Sequence, residues 1–176
     1  MLWMKRILIF SLTYHPFVGG AEVAIKEITD RMPEYEFHMI TLRFDSKLPR
    51  VEEVGNITVH RLGPAVPDPQ VSDRNMPFML RFAKWFYPIN AAFTAYVLHR
   101  DHPYSATWSM MANHAGFAGM IFKTFHPSVP HVLELQDGRA FSDMKDRQPI
   151  LRLIWPLYER VYRVANAIKV ISLFLE

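Results

Sequence analysis

The chain opens on a short, unbroken apolar run. Arg6 to Leu12 shows no alternation of polar and apolar positions, so it reads as a strand buried on both faces, the pattern of a parallel sheet. Pro16 and the pair Gly19-Gly20 interrupt the run, because proline restricts its predecessor and glycine admits backbone angles that other residues avoid. The period then changes to that of a helix. Ala21, Ile25, Ile28 and Met32 recur on one face, Glu22/Lys26 and Glu27/Arg31 form i,i+4 pairs on the other, and Pro33 ends the segment.

Phe37 to Leu42 reads as a second strand, and Ile57 to Leu62, entered through Gly55-Asn56, as a third. Between them, Arg43 to Val54 is polar and reads as an exposed loop or a short edge ribbon, while Pro64, Pro67 and Pro69 keep the next stretch extended or irregular. From Pro77 the pattern is helical and aromatic, with Phe78, Phe82 and Trp85 on one line and Met79 and Phe86 beside it, up to Pro88; Ile89 to His99 forms a second helical segment. Apolar stripes usually pack inward, so this stripe is expected to face the core with Arg81 and Lys84 solvated. The competing reading is a basic amphipathic surface resting on an anionic membrane.

Thr107 to Met110 is the expected fourth strand. A helix follows from about Asn113 to Lys123, where Gly116 and Gly119 let it lie close to the sheet, and then a fifth strand from Val132 to Leu135. Ile150 to Ala165 reads as a long helix kinked by Pro156, with Ile154, Leu157, Val161 and Ala165 inward, and Ala167 to Ile171 as a sixth strand.

Strands alternating with helices imply crossover connections, and therefore an α/β domain: a Rossmann-like parallel sheet flanked by helices on both faces, occupying 1–176 as a single unit. After the last strand the sequence runs only to Leu173-Phe174-Leu175-Glu176, without a closing helix, which leads us to expect a second domain beyond it. Half of the 176 residues are hydrophobic and 21% are charged, enough apolar surface for one core; the lack of cysteine excludes disulfides and thiolate metal sites. A net charge of +3, with basic residues scattered among acidic ones, argues against a nucleic-acid partner. The uncharged stretch Pro103 to Phe122 is interrupted by Ser105, Thr107, Ser109, Asn113 and His114, so no membrane span is expected, and the first apolar run lacks the cleavage site of a signal peptide. A cytoplasmic location is expected, with the aromatic segment as the candidate for peripheral membrane contact.

In open parallel sheets, ligands bind beyond the carboxyl ends of the strands. Gly19-Gly20 stands at the first such end, where the free amides of a helix N-terminus suit phosphate or sugar hydroxyls; a tight strand-to-helix turn would need the same glycines for steric reasons alone. The pair is neither G-x-G-x-x-G nor a Walker loop, which lowers the odds of a dinucleotide oxidoreductase or an NTPase. Asp137 at a strand's end could orient a hydroxyl or act as a base, and an Asp-Gly turn explains it equally well. His99 and His102 have metal-ligand spacing but no third ligand, so a loop closing a helix is preferred. Arg139, Asp143, Lys145, Asp146 and Arg147 read as an exposed mixed-charge loop whose basic members could meet an anionic acceptor.

The segment Lys5 to Phe10 followed by His15-Pro16-Phe17-Val18-Gly19-Gly20-Ala21-Glu22 resembles the opening of family-4 glycosyltransferases. Val54 to Leu62 resembles that family's third-strand segment, Pro130 to Asp137 its fifth, and Ala165 to Ser172 the strand that precedes the crossing into a second domain. The resemblance implies the N-terminal, acceptor-side half of a GT-B enzyme. Such an enzyme transfers a sugar, with retention, from a nucleotide-sugar donor to a glycan, lipid-linked or small-molecule acceptor, with no metal or other cofactor. It also implies that the donor nucleotide is gripped by a C-terminal domain absent from this chain, leaving the chain inactive alone. Gly19 and Gly20 carry over as the loop facing the donor phosphates and sugar, and Glu22 as a motif residue without a clear role. Acceptor-side candidates are Tyr14, His15, Ser109, Gln136, Asp137 and Arg139, and catalytic candidates are Asp137 and His114. Met111 and Gln136 stand where the family commonly has histidines. Two other classes stay open: a non-catalytic module that recruits an acceptor or a membrane for a separate catalytic chain, and an unrelated doubly wound domain binding a small phosphorylated ligand.

Overall fold

The apolar runs pair into one seven-stranded sheet, seen in a computed structural model that describes residues 5–69, 76–136 and 155–170. In chain order the strands are β1 (Lys5–Phe10), β2 (Tyr35–Leu42), β3 (Val51–Val54), β4 (Ile57–Leu62), β5 (Ala106–Met110), β6 (His131–Leu135) and β7 (Ala167–Val170). Their spatial order is β3-β4-β2-β1-β5-β6-β7, parallel throughout except for β3. That strand returns antiparallel on β4 through the Gly55-Asn56 turn, where Gly55 takes φ +61, so the polar stretch ends in an edge ribbon. Alternate residues of β1 and β2 point to opposite faces. Leu8, Phe10, Ile40 and Leu42 meet helices α2 (Phe78–Asp101) and α3 (His114–Phe125), whereas Ile9, Phe37 and Met39 meet α1 (Gly20–Thr29). A fourth helix, α4 (Trp155–Arg163), packs Trp155, Tyr158 and Val161 beside α3.

Three expectations are corrected here. The segments on either side of Pro88 are one helix of 24 residues. An internal proline costs roughly 3 kcal/mol, offset here by anchoring around it: Tyr87 is fully buried and its hydroxyl hydrogen is shared between the carbonyls of Ile40 (2.7 Å) and Ser11 (3.0 Å). The helix also turns the opposite side inward. Leu80, Ala83, Tyr87, Ala91 and Ala95 face the sheet, and Phe78, Phe82 and Trp85 are exposed by 81%, 55% and 66%. Small side chains win the inner face because they let the helix approach a sheet already filled by large strand residues. In α4, Leu157 is half exposed and Trp155 and Tyr158 are buried in its place, with Pro156 in the first turn; Ile150 and Ile154 lie outside the described residues.

The expected close approach of α3 to the sheet is present. A Cβ built on Gly119 would lie 2.3 Å from Ser109 Oγ and 2.4 Å from His131 Cε1, and one on Gly116 would lie 2.8 Å from Val161 Cγ1 and 2.9 Å from the Met111 carbonyl oxygen. One methyl group at Gly119 must therefore push α3 off β5 and β6. Gly119→Ala is expected to destabilise the domain by at least about 1–3 kcal/mol, read as a lowered urea midpoint; an unchanged midpoint would contradict the close packing.

His131 is completely buried beneath α3, with its Nδ1 hydrogen-bonded to the Thr107 hydroxyl at 2.8 Å. Burial, reinforced by the nearby Lys123 charge, pushes its pKa from 6.5 down to about 4. The folded ring thus stays neutral where the unfolded chain would bind a proton. Its contribution is fully present above pH 6.5 and is lost as pH falls toward about 4, at a cost on the order of 3 kcal/mol. Unfolding free energies of the wild type and of His131→Asn, measured from pH 7 to pH 4.5, should show a shallower decline in the variant; equal slopes would refute the assignment.

Candidate functional site

β1 leads through α1 to β2 on one side, whereas β4 leads through α2 to β5 on the other, so the chain reverses direction between β1 and β5. At such a switch point the connections diverge and leave a crevice beyond the carboxyl ends of the strands. Register places Phe10 beside Ser109, Met110 beside Glu134 and Leu135 beside Val170, so the loops leaving β1, β5 and β6 open on one edge.

The loop after β1 is organised by Glu22. This carboxylate, 7% exposed, accepts hydrogen bonds from the Gly19 amide (2.8 Å) and the Thr13 hydroxyl (2.5 Å). It caps the helix one way only, glycine having no side chain with which to reciprocate. Glu22 is thus not free to pair with Lys26, which pairs with Asp30 instead, while the Glu27–Arg31 pair forms as expected. Its negative charge also sits in the first turn of α1. The amides of Gly20 and Ala21 have no acceptor within the helix, and the Glu22 charge offsets part of the positive potential at that helix end.

Beneath this loop lies a polar cluster. Tyr14 is 2% exposed, its hydroxyl has no hydrogen-bond partner among the described residues, and burial, with Asp30 as the next contribution, pushes its pKa to about 12. The His15 ring meets it edge-on with centroids 4.9 Å apart, and His15 Nε2 also lacks a partner. Arg61, 2% exposed near the end of β4, donates to the His15 carbonyl (2.5 Å) and to Glu52 (2.6 Å). The guanidinium therefore holds the loop's backbone in place from below. Its placement in a strand otherwise alternating Ile57, Val59 was the signal: a cation at a position of inward parity.

The loop after β5 is strained. Met111 adopts φ +70, a conformation costing a non-glycine residue about 1–2 kcal/mol. It is held by a 2.7 Å bond from its amide to the Glu134 carbonyl and by the close approach of Gly116 to its own carbonyl. Strain of this kind concentrates at ligand sites. Asn113 caps α3 by accepting from the Ala115 amide, and His114 is the first residue of that helix, half-buried, with its ring edge-on to Trp85 at 6.1 Å.

Ser109 is fully buried, and its hydroxyl donates to the Ala115 carbonyl at 3.0 Å, so it fastens α3 and offers nothing to the crevice; its assignment as an acceptor contact is corrected. Tyr14 likewise contributes from below and not at the surface. Gln136 is half-buried just past β6 and donates to Glu134 (2.9 Å), while Asp137 and Arg139 lie outside the described residues. Glu134, missed in the sequence, is fully buried; it also accepts from Lys169 (3.1 Å), and its second oxygen has no hydrogen-bond partner among the described residues. A lone acid inside Val132-Leu133-Glu134-Leu135 was its available signal. His99 accepts from the Tyr104 amide at 2.9 Å and stacks on Tyr104, in keeping with a helix-closing role, and His102 is the residue after α2.

No family model and no curated protein sequence matches the chain. Among solved structures it is similar to sucrose-phosphate synthase from Thermosynechococcus elongatus, with TM-score 0.54 and 14% identity over 94% of this chain and 47% of that one. A shorter chain of the same synthase gives TM-score 0.53 at 16% identity, over 96% of this chain and 88% of that one. The trehalose-6-phosphate protein from E. coli, bound with UDP-2-fluoro glucose, gives TM-score 0.50 at 14% identity, over 93% of this chain and 39% of that one. The chain thus spans about half the length of the sucrose-phosphate synthase, and its fold is the Rossmann-like α/β architecture of GT-B glycosyltransferases.

The two glycines separate by geometry. A Cβ on Gly19 would lie 2.9 Å from Glu22 Oε2, whereas one on Gly20 would meet nothing within 4 Å. Gly19→Ala requires the end of the Glu22 side chain to shift and is therefore expected to cost about 1 kcal/mol, and Gly20→Ala to leave thermal stability unchanged or slightly raised, since alanine favours a helix over glycine. Matched losses in both variants would show that Glu22 does not organise the loop.

Proposed function

We propose that this chain is the N-terminal, acceptor-side half of a retaining glycosyltransferase, with a second Rossmann-like domain completing the cleft and holding the nucleotide of a nucleotide-sugar donor. The observation that carries the reading is the reversal of strand order between β1 and β5, the position at which open parallel sheets bind ligands. The loops leaving these two strands combine the open Gly20 backbone with the strained Met111, in a fold shared with sucrose-phosphate synthase. In this reading the exposed Gly19-Gly20 loop faces the donor sugar and phosphates, and Gly20 is glycine so that ligand atoms can approach the backbone. His15, His114 and Gln136 line the acceptor side. Tyr14 and Arg61 stiffen the loop from below. The acceptor is a glycan, a lipid-linked sugar or a small molecule, and the transfer uses no metal.

Calorimetric titration of UDP-, GDP- and ADP-sugars tests this. The chain alone should show no binding tighter than millimolar, and the product of the same gene extended to include a following domain should bind one donor at least a hundredfold more tightly and turn it over. Gly20→Val in the extended protein should lower kcat/KM at least tenfold while leaving its melting temperature in place. Tight donor binding by the chain alone would overturn the assignment of the nucleotide to a second domain. A stop codon immediately downstream would favour the alternative of a recruiting module for a separate catalytic chain.

A further inference from the structure

The outer face of α2 is an unusual surface for a helix packed on a sheet. Nine large apolar side chains between Phe78 and Val97 are exposed, among them Phe82, Trp85, Ile89 and Phe93 at 55%, 66%, 60% and 67%. At about 100° per residue they fall within an arc of roughly 120°, in a stripe running nearly the full length of the helix. Taking roughly 200 Å² per large side chain, the exposed apolar area is on the order of 1,000 Å². This exceeds the few hundred Å² usual for the largest patch of a monomeric protein. The helix cannot rotate to hide this face, because Tyr87 is tied to the Ile40 and Ser11 carbonyls on the other side.

Charge selects the occupant. Along α2 the charged residues are Arg81, Lys84, Arg100 and, at its last position, Asp101, so cations flank the stripe and a single acid closes it. A second copy of the same face would set cations against cations. An anionic lipid surface meets both features, with aromatic rings entering the headgroup boundary and arginines pairing with phosphate. The helix lies on such a surface and does not cross it, since among the described residues no helix is long and apolar enough to span a membrane. We propose that the outer face of α2 docks this domain on an anionic bilayer, with Phe82, Trp85, Ile89 and Phe93 inserted and Arg81 and Arg100 against the headgroups.

The test is co-sedimentation with vesicles of phosphatidylcholine alone or with about one-third phosphatidylglycerol, alongside sedimentation velocity of the lipid-free protein. The wild type should bind the anionic vesicles at least tenfold more tightly than the neutral ones. Phe82→Ser with Trp85→Ser should abolish binding, and Arg81→Gln with Arg100→Gln should weaken it severalfold. Val23→Ser, at an exposed position on α1, should leave it unchanged. All four side chains replaced in the double variants are exposed, so their melting temperatures should stay near the wild type. Absence of binding, equal binding to both vesicles, or binding that survives the Phe82/Trp85 substitutions overturns the proposal. A concentration-dependent dimer dissolved by those same substitutions also overturns it, by making the face a contact between copies. None of these outcomes bears on donor binding, so the transferase reading stands or falls separately.

Discussion

Much of this domain depends on how closely one helix lies against two strands. At Gly119 the backbone of α3 sits directly over Ser109 and His131, with no space for a single carbon between them. That separation buries both polar side chains, which then find partners in the Ala115 carbonyl and the Thr107 hydroxyl. The same approach continues one turn earlier at Gly116, where α4 enters through Val161. With α3 fixed at that height, the short connection from β5 has little freedom, and Met111 is driven into a left-handed conformation at the mouth of the crevice. Packing deep in the layer and strain at its rim are thus one constraint expressed at two places.

The helical layer built on α3 serves two surfaces. Its upper end frames the switch point, where the Gly19-Gly20 loop, His114 and Gln136 converge from neighbouring strand exits. Its outer side is α2, whose alanines and Tyr87 face inward and whose aromatic residues face away. In chain order α2 lies between β4 and β5, so it is the connection that crosses from one half of the sheet to the other.

Most of the architecture was legible in the residues. Continuous apolar runs marked the parallel strands, paired prolines and glycines marked their exits, and Gly116 and Gly119 announced the close approach of α3. The reading of α2 failed for a definite reason. Both of its faces are apolar, one with alanine and leucine and the other with phenylalanine and tryptophan, and periodicity reports that a face is apolar without reporting which face the sheet can accept. Volume decided that, and volume depends on strand residues far away in sequence. Within the site, the turn and its glycines were readable. Glu22 as a helix cap, Arg61 beneath the loop and Glu134 beside Gln136 were not, since each acts through a partner that only the fold brings near. Ser109 misled because a strand-end serine can face either the crevice or the helix above it.

The edge strand β3 has a bearing on the domain's behaviour in crowded solution. It is four residues long and carries Glu52 and Glu53 at its centre. An incoming strand that tried to extend the sheet there would have to lie along two adjacent carboxylates over a very short hydrogen-bonding register, a poor template for addition. Glu52 meanwhile reaches Arg61, the cation that braces the first loop. One carboxylate therefore steadies the floor of the crevice and helps keep the sheet from growing at its outer margin.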